Sequence, residues 1–140
     1  MLAILLAWPE KELWPNARAH PIIVAGVRKI ARAEAYYLTR ATLAGRQLAV
    51  PAGTPIELKL VFCPPHRRRF DLDNAQAAMK SALDGLAQAL GIDDRWFRPQ
   101  PLAGDMRPGG LVEVRIAAEV RSSSKEGSVE LWNNSQSESS

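Results

Sequence analysis

Ile56-Glu57-Leu58-Lys59-Leu60-Val61-Phe62-Cys63-Pro64-Pro65-His66-Arg67-Arg68-Arg69-Phe70-Asp71-Leu72-Asp73-Asn74 is the stretch from which the fold is read. Ile56, Leu58, Leu60 and Phe62 alternate with Glu57 and Lys59, the period of a half-buried strand. Pro64-Pro65 ends the strand. The period then changes. Ala75, Met79, Ala82, Leu83, Leu86 and Leu90 recur at helical spacing from about Asp73 to a natural C′ glycine at Gly91. At 100° per residue, Asp73, Ala77, Lys80 and Asp84 fall on the opposite face, within about 60° of one another. Between strand and helix, three consecutive arginines stand against two carboxylates spaced two apart. Guanidinium clusters attract phosphate, whereas paired carboxylates repel it unless a divalent cation intervenes. The juxtaposition points to metal-dependent chemistry on a nucleic-acid backbone.

The same periodicities organise the flanks. Leu2–Trp8 predicts a buried strand closed by Pro9, and Glu10–Pro21 a punctuated loop. From about Ile22 to Leu48, Val27, Ile30, Ala31, Leu38 and Ala41 recur at helical spacing among Arg28, Lys29, Arg32 and Arg40, a basic amphipathic helix. Trp96–Ala103 and Leu111–Val120 read as an antiparallel pair joined by the turn Asp105–Gly110. The expected order is strand, helix, strand, helix, strand, strand: a single small α/β domain over residues 1–120 with a mixed sheet. From Arg121 the composition turns to Ser, Glu, Asn and Gln without periodicity, so 121–140 is expected to be a disordered polar tail, with Trp132 an incidental aromatic.

Composition narrows the function classes. With 140 residues, 46% hydrophobic and 24% charged, the chain suits one globular domain. Arg121 and Lys125 face Glu126, Glu130 and Glu138 in the tail, so the net charge of +3 is concentrated in residues 1–120. That suits a polyanionic partner. One cysteine and two histidines exclude an intrachain disulfide and an all-cysteine zinc site, and the default compartment is the cytoplasm. Nothing approaches transmembrane length, and Met1–Ala7 lacks the basic region of a signal peptide.

Each charged residue also has a plain structural use. Asp73, with Gln76 three residues on, makes a capping-box-like pair at the expected helix start. Asp93-Asp94 suits a post-helix turn, Arg67–Arg69 a solvated loop, and Lys80/Asp84 an i,i+4 pair in the less favourable orientation. Asp71 has no such use. An EF-hand fails, since counting from Asp71 the sixth and twelfth positions are Gln76 and Ala82. An aspartyl phosphatase fails, since its Asp-x-Asp would follow the strand directly with a Gly-Thr nearby, and this sequence has neither arrangement.

Arg67-Arg68-Arg69-Phe70-Asp71-Leu72-Asp73-Asn74, then Leu83-Asp84-Gly85-Leu86, then Gly91-Ile92-Asp93-Asp94, resembles the RusA family of Holliday-junction resolvases of bacteria and prophages. Trp8-Pro9 and the loop Asn16-x-Arg18-x-His20 are similar to that family's as well. The resemblance spans about residues 2–120. It implies a homodimeric, Mg²⁺-dependent endodeoxyribonuclease that acts on the nucleoid in the cytoplasm. Such an enzyme resolves four-way junction DNA by paired nicks in recombination and repair, with no small-molecule cofactor and no membrane. Asp71, Asp73 and Asp94 match the metal-binding aspartates. The family's catalytic lysine, four residues past the second aspartate, falls on Ala77, so Lys80, about one turn further along the same face, is assigned that role. Arg67, Arg68, Arg69, Arg18, Asn16 and His20 are the expected DNA contacts. The alternative is a non-catalytic DNA-binding module of the same fold.

Overall fold

The computed structural model describes residues 1–122. Three strands take their shape from strict alternation. In β1 (Leu2–Ala7) Leu2, Ile4 and Leu6 are buried; in β3 (Ile56–Cys63), Ile56, Leu58, Leu60 and Phe62; in β5 (Leu111–Ile116), Val112, Val114 and Ile116. Antiparallel pairing aligns these residues in rows. Ile4 opposes Val114, which opposes Leu60; Leu6 opposes Val112, which opposes Phe62. One face of the sheet therefore forms the core, while Leu5, Glu57, Lys59 and Arg115 stay exposed on the other.

Three helices cover the apolar face. The helix α1 (Pro21–Leu43) starts at His20, whose Nδ1 accepts from the Ile22 amide at 3.1 Å, and places Pro at its first position. It ends at Leu43, five residues before the expected limit, because Ala44 and Gly45 turn left-handed and release the chain into β2 (Arg46–Leu48). The crossover after β3 is broken into α2 (Leu72–Ala78) and α3 (Lys80–Leu90), which meet at the buried Met79. A single helix was expected here. Its predicted end holds, with Gly91 left-handed at φ 68°.

The face of α1 that packs is not the one its large residues predict. Ala35, Thr39 and Leu43 are buried, whereas Ile30 and Leu38 are 65% and 41% exposed. The reason lies in α3. A Cβ built on Gly85 would stand 2.1 Å from the Arg32 carbonyl oxygen, so the two helix backbones nearly touch. Only small residues fit such an approach, and the bulky aliphatics rotate outward.

The last strands also differ from expectation. The strand β4 (Phe97–Ala103) pairs with β3 in parallel, giving the order β1-β5-β3-β4, so β3 stands between β4 and β5. Pro99 and Pro101 lack N–H donors and suit an edge strand with one unpaired side. The chain then crosses the end of β3. Gly104 donates to the Phe62 carbonyl at 2.8 Å and Arg107 to the Pro64 carbonyl at 2.9 Å. A Cβ at Gly104 would lie 2.8 Å from Cys63 Sγ, so glycine is needed at the crossing. Finally β6 (Val120–Ser122) pairs with β2 in a small second sheet. Arg121 and Ser122, assigned by sequence to the tail, are thus strand residues. The remainder of that expected tail, Trp132 included, lies outside the described residues.

The result is one small α/β domain with a mixed sheet. Among the described residues, no helix is long and apolar enough to cross a membrane.

Candidate functional site

The turn from β3 into α2 decides which carboxylate is free. Asp71 is the N-cap of α2: its Oδ1 accepts from the Asn74 amide at 3.0 Å. The cap was expected at Asp73, two residues later. The helix begins earlier because Leu72 and Phe70 pack against the core, and Phe70 sits edge-on to Trp8 with ring centroids 5.3 Å apart. Asp73 is left exposed in the first turn, where the helix dipole favours a negative charge.

The turn from α3 into β4 repeats the arrangement. Asp93 caps a 3₁₀ turn (Asp94–Trp96), accepting from the Arg95 amide at 3.0 Å and pairing with the Arg95 guanidinium at 3.6 Å. Asp94 is thereby turned back along the helix. In its neutral form Asp84 donates a hydrogen bond to the Asp94 carboxylate. Partial burial first, and that bond second, raise the Asp84 carboxyl above its ordinary value, against the pull of Lys80 and Arg32. Lys80 Nζ lies 3.9 Å from Asp84 Oδ1.

These groups line one open cavity of about 510 Å³, walled by α2, α3 and the start of β4. Asp73, Lys80, Asp84 and Asp94 all face it, with Gln76, Ala77 and Arg95. The shared helix face was legible in the sequence, and the arrival of Asp94 on it was not. Asp84, which sequence reasoning passed over as half of a surface pair, is a member of the site. Its signal was its place on the Asp73–Lys80 face.

The expected set Asp71, Asp73 and Asp94 does not converge. Asp71 is committed to the cap and does not line the cavity. Asp73 and Asp84 are separated by about 16 Å of helix path. Among the described residues, no three His, Cys, Asp or Glu side chains are close enough together to hold a metal ion. The pair Asp84/Asp94 is a different matter. Both line the cavity, with the Asp84 carboxyl raised by burial and by Asp94, and Mg²⁺ commonly uses one or two carboxylates with waters and phosphate oxygens.

The expected DNA contacts divide. Arg67, Arg68 and Arg69 are exposed on the β3–α2 loop, and the Arg68 amide donates to His66 Nδ1 at 3.3 Å. His66 and Asn16 line one groove with Trp8, Trp14 and Phe70, so the N-terminal loop meets the β3–α2 loop at His66, while none of the three arginines lines that groove. Arg18 is exposed but lines no cavity with them, and His20 is occupied as the cap of α1.

Over 129 residues the chain is 39% identical to an uncharacterized protein of Xylella fastidiosa (strain Temecula1 / ATCC 700964), an alignment covering 91% of this chain and 83% of that protein. The chain belongs to that protein's family. It matches no protein-family model.

Proposed function

We propose that this protein is a structure-selective, Mg²⁺-dependent endodeoxyribonuclease of RusA type that resolves four-way DNA junctions by paired nicks. One observation carries the reading: Lys80, Asp73, Asp84 and Asp94 line a single open cavity, and an exposed run of three arginines ends four residues before Asp73. Asp84 and Asp94 would hold Mg²⁺, which when bound lowers the pKa of a coordinated water and neutralises charge on phosphate oxygens. The side chains do the rest. Lys80 stabilises charge developing on the phosphate. Asp73 stands across the cavity, where it accepts hydrogen bonds from a water or a sugar hydroxyl. Arg67, Arg68 and Arg69 hold the backbone at the mouth, as guanidinium groups do for phosphates.

A two-fold junction calls for two such sites, and a C₂ dimer supplies them. Ile22, Ile30 and Tyr37, 77%, 65% and 69% exposed along α1, offer an apolar face for a second copy. The test is Mg²⁺-dependent nicking of a synthetic four-way junction beside a linear duplex. Symmetric nicks in the junction alone are expected. No cleavage of either by the wild type, with binding intact, leaves the second reading, a non-catalytic DNA-binding module of the same fold. The failure of Asp71, Asp73 and Asp94 to converge favours that reading.

A further inference from the structure

A second groove, of about 570 Å³, opens at the other end of the crossover, where α1 and α3 finish and the β2–β6 ribbon begins. Three arginines from three elements meet there: Arg40 near the end of α1, Arg46 on β2 and Arg121 on β6. Its one acidic wall residue, Asp93, is already paired with Arg95 at 3.6 Å. Among the described residues, neither Arg40 nor Arg121 makes an ion pair. Helix C-termini repel anions, but here their carbonyls are answered. Arg46 Nε and Nη2 donate to the Leu43 and Thr42 carbonyls at 2.7 and 2.8 Å, and the Gly91 and Ile92 amides donate to the last turn of α3. The other Arg46 N–H donors remain for a ligand.

The groove and the carboxylate cavity flank one turn. They share the 3₁₀ turn as a wall: Asp93 and Trp96 face the basic groove, while Asp94 and Arg95 face the carboxylates. Arg95 stacks on the Trp96 ring at 5.1 Å, placing a further cation on the rim between them. Asp73 and Gly91 stand at opposite ends of the α2–α3 crossover, which two collinear helices would stretch to at most about 27 Å, an upper limit of roughly eight phosphates at the 3.4 Å rise of one DNA strand.

We propose that this groove is a second phosphate-binding site, in which Arg40, Arg46 and Arg121 hold the DNA backbone on the far side of the carboxylates from Arg67–Arg69. The inference rests on the nuclease reading and gives it a binding path: arginine run, cavity, arginine groove. No residue of this groove belongs to the contacts that the sequence suggests.

The test uses the full-length protein, a labelled four-way junction in EDTA, and a series of salt concentrations. Arg40→Gln and Arg121→Gln are combined, and Arg46 is left intact because it caps α1. The melting temperature should match the wild type. The slope of log affinity against log salt should fall by about two units, with about a tenfold or greater loss of affinity at 0.1 M salt. If the double variant fails to fold, each single variant should lower the slope by about one unit. An unchanged slope overturns the groove, whatever the affinity, because no phosphate contact has been lost. If the wild type cuts junctions and the variant binds like it, the groove falls and the nuclease stands. If the wild type binds without cutting and the variant has the lower slope, the groove stands and the nuclease falls. If the wild type does not bind DNA, both fall.

Discussion

The two ends of the α2–α3 crossover are acidic in the same way and legible to very different degrees. At each end, the first aspartate accepts from a backbone amide and the second lines the cavity. Asp71 caps α2 and frees Asp73; Asp93 caps the 3₁₀ turn and frees Asp94. At both ends the carboxylate that caps is not the one that lines the cavity. The ends differ in what receives the freed group. Asp73 stands alone in its turn, whereas Asp94 meets Asp84, whose carboxyl it helps to hold above its ordinary value.

The most severe way to break this comparison is to remove the freed carboxylates. Asp94→Asn and Asp73→Asn should each lower junction cleavage by a factor of about 100 or more, about 2.7 kcal/mol of barrier. Single-turnover rates at saturating protein measure it. Asp71→Asn keeps a capping side chain, so its rate should stay near the wild type; a collapse equal to that of Asp94→Asn would return Asp71 to the metal site.

Next in size is the packing on which both ends depend. Gly85→Ala should destabilise the fold by about 2 kcal/mol, because a methyl group cannot share space with the Arg32 carbonyl. Helix propensity works the other way by only about 1 kcal/mol. Urea denaturation decides the sign, and a stabilised variant would mean that α1 and α3 can separate at little cost.

The caps come third. Asp71→Ala should cost about 1 kcal/mol and Asp71→Asn almost nothing. Chemical denaturation of the pair checks it. Equal losses would show that the charge of Asp71 matters rather than its acceptor.

The smallest expected effect sharpens the contrast at the Asp94 end. A carboxyl whose folded pKa is raised contributes stability that is complete below its unfolded value of 3.8 and is lost as pH rises through the folded one. Asp84→Asn keeps the neutral form at every pH. The variant should therefore melt close to the wild type at pH 3.5 and above it at pH 7. Mg²⁺ should raise the wild-type melting temperature at pH 7 and leave that of Asp84→Asn unmoved. A pH-independent difference would remove the Asp84–Asp94 coupling.

Much of this was open to inspection in the chain alone. Alternation of period two marked β3 and β5, because a strand with one buried face must place every second side chain inside, and an apolar run closed by Pro9 marked β1. The 3.6-residue period marked both helical regions and put Asp73, Lys80 and Asp84 on one face, and Gly91 marked the end of α3. Local chemistry of this kind is written in neighbouring residues.

Other features depended on contacts between distant parts of the chain. The three-residue strands β2 and β6 are too short to show a period, and exist because each supplies the other's hydrogen bonds. That β3 separates β4 from β5 follows from where Pro99 and Pro101 can be tolerated and from the crossing at Gly104, not from the turn between the two strands. The packed face of α1 was set by the closeness of Gly85 to the Arg32 backbone, so small residues displaced larger ones from the interface. The sequence by itself therefore determined the elements, their apolar faces and the arginine–aspartate junction. Only the tertiary structure decided which aspartates are caps and which reach the cavity. A carboxylate's partner is chosen by geometry across the fold, and spacing along the chain does not carry that distance.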